Sequence, residues 1–240
     1  MAGHSRWAKV KNFKGAIDAK RGKIFSKLAK EITIAARLAG GDPDMNPRLR
    51  MALLKCRGAN MPNDNIDRAI KRGTGAGETI TYEDLTYELY GPNGVAMLVE
   101  LSTDNRNRTA AEIRSVMTKN GGSIATAGAV SRLFQRKGQM IVPREAANED
   151  QLMEVVLEAG AEDFRVEAEG YEILTEPGRF ETVHRAVEAK GIKCAVAEVT
   201  YLPTITVPLG AEAARPVHRL IEALEDHDDV KEVYANVEFT

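Results

Sequence analysis

The first part of the chain alternates apolar and polar positions with the period of a helix. Ile24, Leu28 and Ile32 recur at helical spacing, and lysines occupy the opposite side of the same stretch. At 100° per residue, this pattern predicts an amphipathic helix over residues 16–39. One of its faces packs against a core and the other carries positive charge.

Two shorter helices are predicted next. Asn46 is a suitable N-cap and Pro47 suits a first helical position, so a second helix is expected from there to about residue 60. Asn63 is a candidate cap for a third helix, which we expect to end near Gly73. Three short helices of this kind predict a small helical bundle.

Beyond residue 80 the pattern becomes typical of strands mixed with helices. The segments "TYELY" and "VAMLVELS" predict strands on either side of the turn "GPNG", and "NRNRTAAEIRSVMTKNGG" predicts a helix. Residues 132–203 follow the order β-α-β-β-α-β of a split, ferredoxin-like arrangement, in which the helix over 148–159 contains the apolar residue Leu157. The segment before it supplies only β-β-α and a possible short strand, and the last helix and strand of the chain would complete it.

These elements predict a multidomain fold of the α and α+β classes. A three-helix bundle with an N-terminal arm would occupy residues 1–77. Two ferredoxin-like α/β domains would follow. The first would be discontinuous and combine residues 78–130 with 204–240, and the second, over 131–203, would be inserted into it. The Gly- and Thr-rich segment "KRGTGAGET" is interpreted as a hinge after the bundle.

Charge is divided unequally along the chain. The net charge is only -2, yet 17 of the 33 basic residues and 6 of the 35 acidic residues lie in the first 77 positions. This asymmetry indicates a basic module for nucleic acid or an acidic surface, attached to an acidic body. The basic residues interpreted as contacts are Arg6, Lys9, Lys11, Lys14, Lys20, Arg21, Lys23, Lys27, Lys30, Lys71 and Arg72.

Trp7 stands between cations in the N-terminal arm, a composition that suits phosphate binding and base stacking. An alternative is that Trp7 clamps the arm onto the bundle. For the whole basic face, the alternative is a solvated helix surface, although ordinary surfaces mix both signs of charge more evenly.

Composition and motifs narrow the function classes. Phosphate-binding loops, serine-hydrolase elbows and zinc spacings are absent from the sequence, so we expect neither an enzyme nor a cofactor. Cys56 and Cys194 are interpreted as core residues in a reducing compartment. No apolar run is long enough for a membrane span or a signal peptide, and the expected location is the cytoplasm.

Two local features have competing interpretations. The start of the helix in "NRNRT" could hold a phosphate through Arg106 or Arg108, or could be a helix capped by Asp104 or Asn105. His227 in "EDHDD" could belong to a weak divalent-ion patch, but a solvated helix end is favoured and no metal is expected.

Long motifs in the sequence resemble the YebC family. They are "AGHSRWAKVKNFKGAIDAKRGKIFSKLAKEI", "NPRLRMALLKCRGANMPNDNIDRAIKRGTG", "YELYGPNGVAMLVE", "TDNRNRTAAEIRSVMTKNGGS" and "VSRLFQRKG". The resemblance covers nearly the whole chain. It departs from the expected pattern at Leu89 and Asn93, where the family motif has glycines, and Asn93 tolerates the left-handed turn that a glycine would adopt.

This resemblance implies three domains, a helical bundle and two α/β domains, in a bacterial protein without an organelle presequence. It implies cytoplasmic proteins labelled as probable transcriptional regulators that bind DNA. It also implies a translational role, because a mitochondrial relative activates cytochrome oxidase translation and bacterial relatives are linked to ribosomes stalled on proline-rich stretches. It adds contact residues from the opening motif and the "NMP" loop, namely His4, Ser5, Trp7, Asn60, Met61 and Pro62.

Three functions therefore remain open. The chain is expected to be a non-enzymatic, nucleic-acid-binding regulator of gene expression, which the family label describes as a DNA-binding transcriptional regulator. The alternative is a ribosome-associated translation factor that binds ribosomal RNA, and a third hypothesis is a protein-interaction scaffold. We expect a monomer that does not bind membranes.

Overall fold

A computed structural model of the chain describes residues 22–75 and 81–240. Their contacts divide them into two units. The first, called the discontinuous unit, combines residues 81–135 with 201–240, and the second combines residues 22–75 with 136–200. The start of the first predicted helix and residues 76–80 of the predicted hinge lie outside this description.

The three predicted helices form the bundle of the second unit. Helix α1 is described over residues 22–39, α2 spans Pro47–Gly58 and α3 spans Asn63–Thr74. The apolar positions of α1 face the other two helices, as the period predicts. The buried core of the bundle consists of Ile32, Ala35, Leu49, Ala52, Cys56, Met61 and Ala69.

Of the two predicted caps, one is confirmed and one is wrong. Asn46 is almost fully buried, and its side-chain oxygen accepts a hydrogen bond from the amide of Leu49. Its amide nitrogen also donates to the carbonyls of Ala35 and Gly40, which ties α2 to the end of α1. Asn63 is not the cap of α3, because the chain is extended only up to Pro62 and Asn63 already lies within the helix.

The second unit also contains an α/β layer that we call the ferredoxin-like subdomain (residues 136–200). Its sheet has the strand order β5-β6-β4-β7, which is the order of a split β-α-β-β-α-β fold. Leu157 does not join its core, because this side chain is 51% exposed. The elements are β4 (Phe134–Pro143), α5 (Glu149–Glu158), β5 (Asp163–Glu167), β6 (Gly170–Thr175), α6 (Phe180–Ala189) and β7 (Val196–Pro203).

The discontinuous unit is built around an antiparallel sheet of order β3-β1-β2-β9 and a parallel pair, β8 and β10. Strand β9 from the end of the chain pairs with β2, so the last segment completes this sheet. The elements are β1 (Glu83–Tyr90), β2 (Ala96–Thr103), α4 (Arg106–Lys119), β3 (Ser123–Ile124), β8 (Val207–Leu209), α7 (Ala211–Glu225), β9 (Val230–Ala235) and β10 (Val237–Phe239).

Both faces of this sheet are covered, which explains why β2 is apolar at successive positions. Met97 and Val99 face α4 and α7, whereas Ala96 and Leu98 face a smaller cluster around Phe134. The predicted fold class is thus confirmed: a helical N-terminal part is followed by two α+β parts. The predicted domain boundaries remain a prediction.

The two departures from the family motif fit the turn between β1 and β2. Asn93 has φ of 59°, the left-handed conformation expected of it, and its side chain donates to the carbonyl of Ala213. Leu89 is fully buried in the core beside α4 and α7. The added apolar side chain therefore packs into the unit.

Glu88 organises the loop that follows β3. Its carboxylate accepts hydrogen bonds from the backbone amides of Gly128, Val130 and Ser131, at 2.7, 2.6 and 2.8 Å. Burial by itself would raise the pKa of this carboxyl, but the backbone hydrogen bonds outweigh burial and hold the pKa below its ordinary value. One ionised side chain thus satisfies three amides of an irregular segment.

Replacing Glu88 with Gln should lower the free energy of unfolding at neutral pH by about 1–2 kcal/mol, because hydrogen bonds to a charged acceptor are stronger than those to a neutral one. Since the folded pKa is depressed, this contribution is present above the unfolded pKa and is lost as the pH falls through the folded pKa. Urea unfolding should therefore show a difference from the wild type that shrinks in acid. Glu154→Gln, at an exposed site on α5, is the control, and an equal loss there would contradict the prediction.

Candidate nucleic-acid interface

Helix α1 presents a line of lysines that we call the α1 stripe (Lys23, Lys27 and Lys30). Positions separated by four and three residues share one face of a helix. All three side chains are partly exposed, while Ile32 and Ala35 of the same helix are buried in the bundle core. The predicted contacts from His4 to Arg21 lie outside the described residues.

A second basic group lies where α3 crosses α1. Lys71 and Arg72 are exposed, and the next residue, Gly73, is buried against α1. A methyl group added at Gly73 would lie 2.5 Å from the carbonyl oxygen of Thr33 and 3.2 Å from the amide nitrogen of Arg37. The missing side chain thus lets the helices approach closely, and it brings Arg37 near the basic end of α3.

Arg37 is not among the basic residues that the sequence assigned to the interface. The signal that links it to Lys71 and Arg72 was Gly73, since a glycine inside a helical pattern often marks a close backbone approach. Basic side chains at helix C-termini also stabilise the helix dipole. That structural role accounts for part of this charge.

The "NMP" loop between α2 and α3 divides into exposed and buried residues. Asn60 adopts the left-handed conformation at φ of 54° and is exposed, as is Pro62. Met61 is only 6% exposed, and its side chain belongs to the bundle core. Met61 therefore anchors the loop, and Asn60 and Pro62 are its exposed side chains.

Three of the four cations of α2 have carboxylate partners, and the fourth, Arg57, is exposed. Arg48 donates to both carboxylate oxygens of Glu31, at 2.7 and 3.2 Å. Arg50 does the same with Glu181, and Lys55 lies 3.8 Å from Glu198. The predicted basic contact residues lie instead on α1, on α3 and in the segment before α1.

The start of α4 is a capped helix. The side-chain oxygen of Asn105 accepts from the amide of Arg108, and the Arg108 guanidinium donates to Asp229 and Asp104, each at 2.9 Å. Hydrogen bonds to Asp229 and then Asp104 raise the pKa of Arg108. Arg106 lies 3.4 Å from Glu83. These contacts favour the capped helix, and a phosphate contact by either arginine remains a prediction.

Glu112, His227 and Asp229 bring three possible metal ligands within 4.8 Å of one another. The ring nitrogen Nδ1 of His227 accepts from the Asp229 amide, so Nε2 of the neutral ring carries the proton and donates to Glu112 at 2.9 Å. The buried Asp229 carboxylate accepts from Thr109 and Arg108. The Arg108 guanidinium already supplies a positive charge, so the geometry favours a hydrogen-bonded helix end over a metal centre.

The two cysteines are poor candidates for nucleophilic chemistry. Burial raises the pKa of the Cys56 thiol to about 11. Burial, together with the nearby charge of Glu188, raises that of Cys194 to about 12. A thiol is reactive mainly as the thiolate, so both groups are inert at neutral pH.

Comparison with known proteins decides the family. A profile described as "TACO1/YebC protein N-terminal domain" matches residues 5–76, and one described as "TACO1/YebC second and third domain" matches residues 82–237. The chain belongs to the TACO1/YebC family. The resemblance seen in the sequence motifs is thereby confirmed.

Relatives within the TACO1/YebC family match over nearly their full length. A "probable transcriptional regulatory protein" of Rubrobacter xylanophilus is 52% identical over 100% of this chain and 96% of its own length. One of the same name from Acidobacterium capsulatum is 53% identical over 98% of this chain and 96% of its own. The names describe regulators rather than enzymes, which agrees with the expected absence of catalysis.

A solved structure shares the fold of this TACO1/YebC chain. The crystal structure of the conserved hypothetical protein Aq1575 from Aquifex aeolicus matches with a TM-score of 0.79 and 45% identity. The match covers 93% of each chain. Separately, none of the helices within residues 22–75 and 81–240 has the length and hydropathy of a membrane-spanning segment.

The close approach of α1 and α3 can be tested with two glycines. Gly73→Ala should lower the free energy of unfolding by about 1–3 kcal/mol, because the new methyl group would overlap Thr33 and Ala36. Gly58→Ala is the matched control at an open, exposed site of α2, and it should raise stability by about 0.4–1 kcal/mol. Thermal unfolding of both variants measures the effects. Equal shifts would show that α1 and α3 do not pack so closely.

Proposed function

We propose that this chain is a non-enzymatic regulator of gene expression that binds nucleic acid through its first 77 residues. The observation that carries the proposal is the placement of basic side chains at the surface of the bundle. The lysines of the α1 stripe are partly exposed at helical spacing, and Lys71 and Arg72 are exposed at the end of α3. Lysines spaced along a helix suit contacts with successive phosphates, which supply most of the sequence-independent affinity for nucleic acid.

Double-stranded DNA is the partner that the relatives' names support. A transcriptional regulator needs side chains that read base edges, most often Arg, Asn or Gln in the major groove. On α3, Arg68 donates hydrogen bonds to the side chain of Asn65 and to the carbonyl of Asp64. Two side chains of the types that read base edges are thus hydrogen-bonded to each other. Binding to DNA through this helix would have to break that contact.

The contact between Arg68 and Asn65 opposes base reading by α3, so it favours a second candidate that needs no base reading. This candidate is a translation factor that binds ribosomal RNA. Folded RNA is recognised largely by shape and by phosphate and sugar contacts, which need no base-reading helix. The α1 stripe, together with exposed Asn60 and Pro62 at the loop, would supply such contacts. Both candidates use the same cationic surface and differ in the nucleic acid that meets it.

Reversing the charge of four lysines tests the shared part of the proposal. The change of Lys20, Lys23, Lys27 and Lys30 to Glu should abolish binding to duplex DNA and to structured RNA at moderate salt. For the wild type, the logarithm of the binding constant should fall steeply with the logarithm of salt concentration, because binding releases counterions. Fluorescence anisotropy over a salt series measures both quantities.

The matched control reverses four exposed cations of the discontinuous unit, Arg114, Lys119, Arg215 and Arg219. It changes the net charge equally, so only the position of the charge differs. Circular dichroism checks that both variants are folded. Equal affinity of the bundle variant and the wild type would show that the stripe is a solvated face, and equal losses in both variants would show that only the overall charge matters.

Sedimentation of cell lysate through a sucrose gradient separates the two candidates. A ribosome-bound factor should migrate with ribosomes at low salt and leave them at high salt, and the four-lysine variant should stay at the top. Nuclease treatment of DNA should not change this pattern. Recovery at the top of the gradient, with enrichment on particular DNA sites in cells, would instead support the transcriptional candidate.

A further inference from the structure

Helix α2 contacts two cores. Leu49 and Cys56 face the bundle, whereas Met51 and Leu54 pack against the core of the ferredoxin-like subdomain. Because successive helical residues are rotated by 100°, positions 49 and 51 lie on nearly opposite sides of α2. The bundle and the subdomain therefore share this helix within the second unit.

Arg50 stands beside this apolar contact and spans it. Its Nε and Nη2 atoms donate to the two carboxylate oxygens of Glu181 on α6, at 2.8 and 3.1 Å. Its Nη1 atom donates to the carbonyls of Pro43 and Asp44, at 2.7 and 2.9 Å. One guanidinium thus holds the loop between α1 and α2 and a helix that lies 131 residues away in sequence.

An isolated surface ion pair contributes little, but this pair differs from such a case in three ways. Its geometry is bidentate, which suits the planar guanidinium. The Arg50 side chain is only 22% exposed, and two backbone carbonyls fix its orientation. The hydrogen bond from Arg50 also lowers the pKa of Glu181, so the carboxylate is ionised at neutral pH.

A second, longer pair lies on the same side of α2. Lys55 lies 3.8 Å from Glu198 on β7. Positions 50, 51, 54 and 55 form one helical face, in which the two outer cations flank the two apolar residues. Charge and apolar packing therefore act at the same surface, with cations on the bundle and acids on the subdomain.

We propose that Arg50 is a positioning residue, which through Glu181 fixes the bundle on the ferredoxin-like subdomain and so presents the cations of α1 and α3 to nucleic acid in one orientation. This inference rests on the proposed function. A surface that is already oriented loses less conformational freedom on binding. Only the fraction of molecules in the competent orientation binds, so the apparent affinity falls in proportion when the orientation is lost.

Distance measurement tests the positioning without any nucleic acid. Spin labels at Asp67→Cys on α3 and Ala189→Cys on α6 report the separation of the bundle and the subdomain, with Cys194 replaced by Ser in every variant. The labelled protein with no change at position 50 or 181 should give one narrow distance distribution. Arg50→Glu and Glu181→Arg should each broaden it. The charge-swapped double variant should narrow it again in part, because the ion pair returns but the hydrogen bonds from Arg50 to the carbonyls of Pro43 and Asp44 do not.

Arg185→Glu is the matched control for the distance measurement. Arg185 lies 3.9 Å from the same Glu181 carboxylate but belongs to α6 itself, so this pair does not reach the bundle. The distribution should therefore stay narrow. A narrow distribution in Arg50→Glu, or equal broadening in Arg50→Glu and Arg185→Glu, would overturn the proposal whether or not the chain binds nucleic acid.

Affinity for a structured RNA or a DNA duplex gives the functional readout, and Glu181→Arg is the decisive variant. This change adds positive charge, so simple attraction to phosphate predicts tighter binding. Loss of positioning predicts the opposite, a dissociation constant raised by about three- to tenfold and partly recovered in the charge-swapped variant. Tighter binding of Glu181→Arg, or a loss in Arg50→Glu that the swap does not recover even in part, would overturn the positioning role. Failure of the four-lysine test would refute the proposed function separately.

Discussion

The two-sided packing of α2 is the constraint on which the second unit depends. One side of this twelve-residue helix completes the bundle core through Leu49, Ala52 and Cys56. The other side meets the ferredoxin-like subdomain through Met51 and Leu54. A helix with apolar residues on both sides must be covered on both sides, since exposed apolar surface in water is unfavourable. The bundle and the subdomain consequently behave as one folded unit, although 60 residues of sequence lie between residues 75 and 136.

The distribution of charge follows from this packing. Cations next to a buried contact need partners, because a charge that loses its hydration without compensation is costly. Arg48, Arg50 and Lys55 accordingly have carboxylates nearby. Lys71 and Arg72 at the end of α3 are exposed, and the lysines of the α1 stripe are partly exposed. Part of the positive charge in the first 77 residues therefore stabilises the fold of the second unit, and the rest includes the residues proposed to bind nucleic acid.

Local patterns predicted the elements of this fold well. Period and capping located α2 and its Asn46 cap, and turn chemistry located the left-handed Asn93. Both features depend on residues within a few positions of each other. The Asn63 cap was wrong because the extended Pro62 fixes where α3 begins, and several polar residues at that point suit a cap equally well.

Interactions between distant residues were beyond what the sequence could predict. The partners of Glu88 are amides of a loop 40 to 43 residues away, and backbone donors carry no sequence signature. The burial of Met61 was missed because a loop motif suggests exposure. One usable signal was present in α2, where Met51 and Leu54 exceed the apolar residues that a single face needs. Such a surplus predicts a second packing partner without identifying it.

The candidate interface illustrates how far a charge pattern can be interpreted. A lysine stripe predicts affinity for phosphate, and phosphate is common to DNA and RNA. Selectivity between them must then come from shape, which depends on how the cationic helices are held relative to the rest of the second unit. The bidentate pair of Arg50 and Glu181 controls that geometry at a site with no direct part in phosphate contact. A cationic bundle held at a fixed angle on an α/β body would favour a folded target whose phosphates match that angle, and a freely moving bundle would bind the same target more weakly.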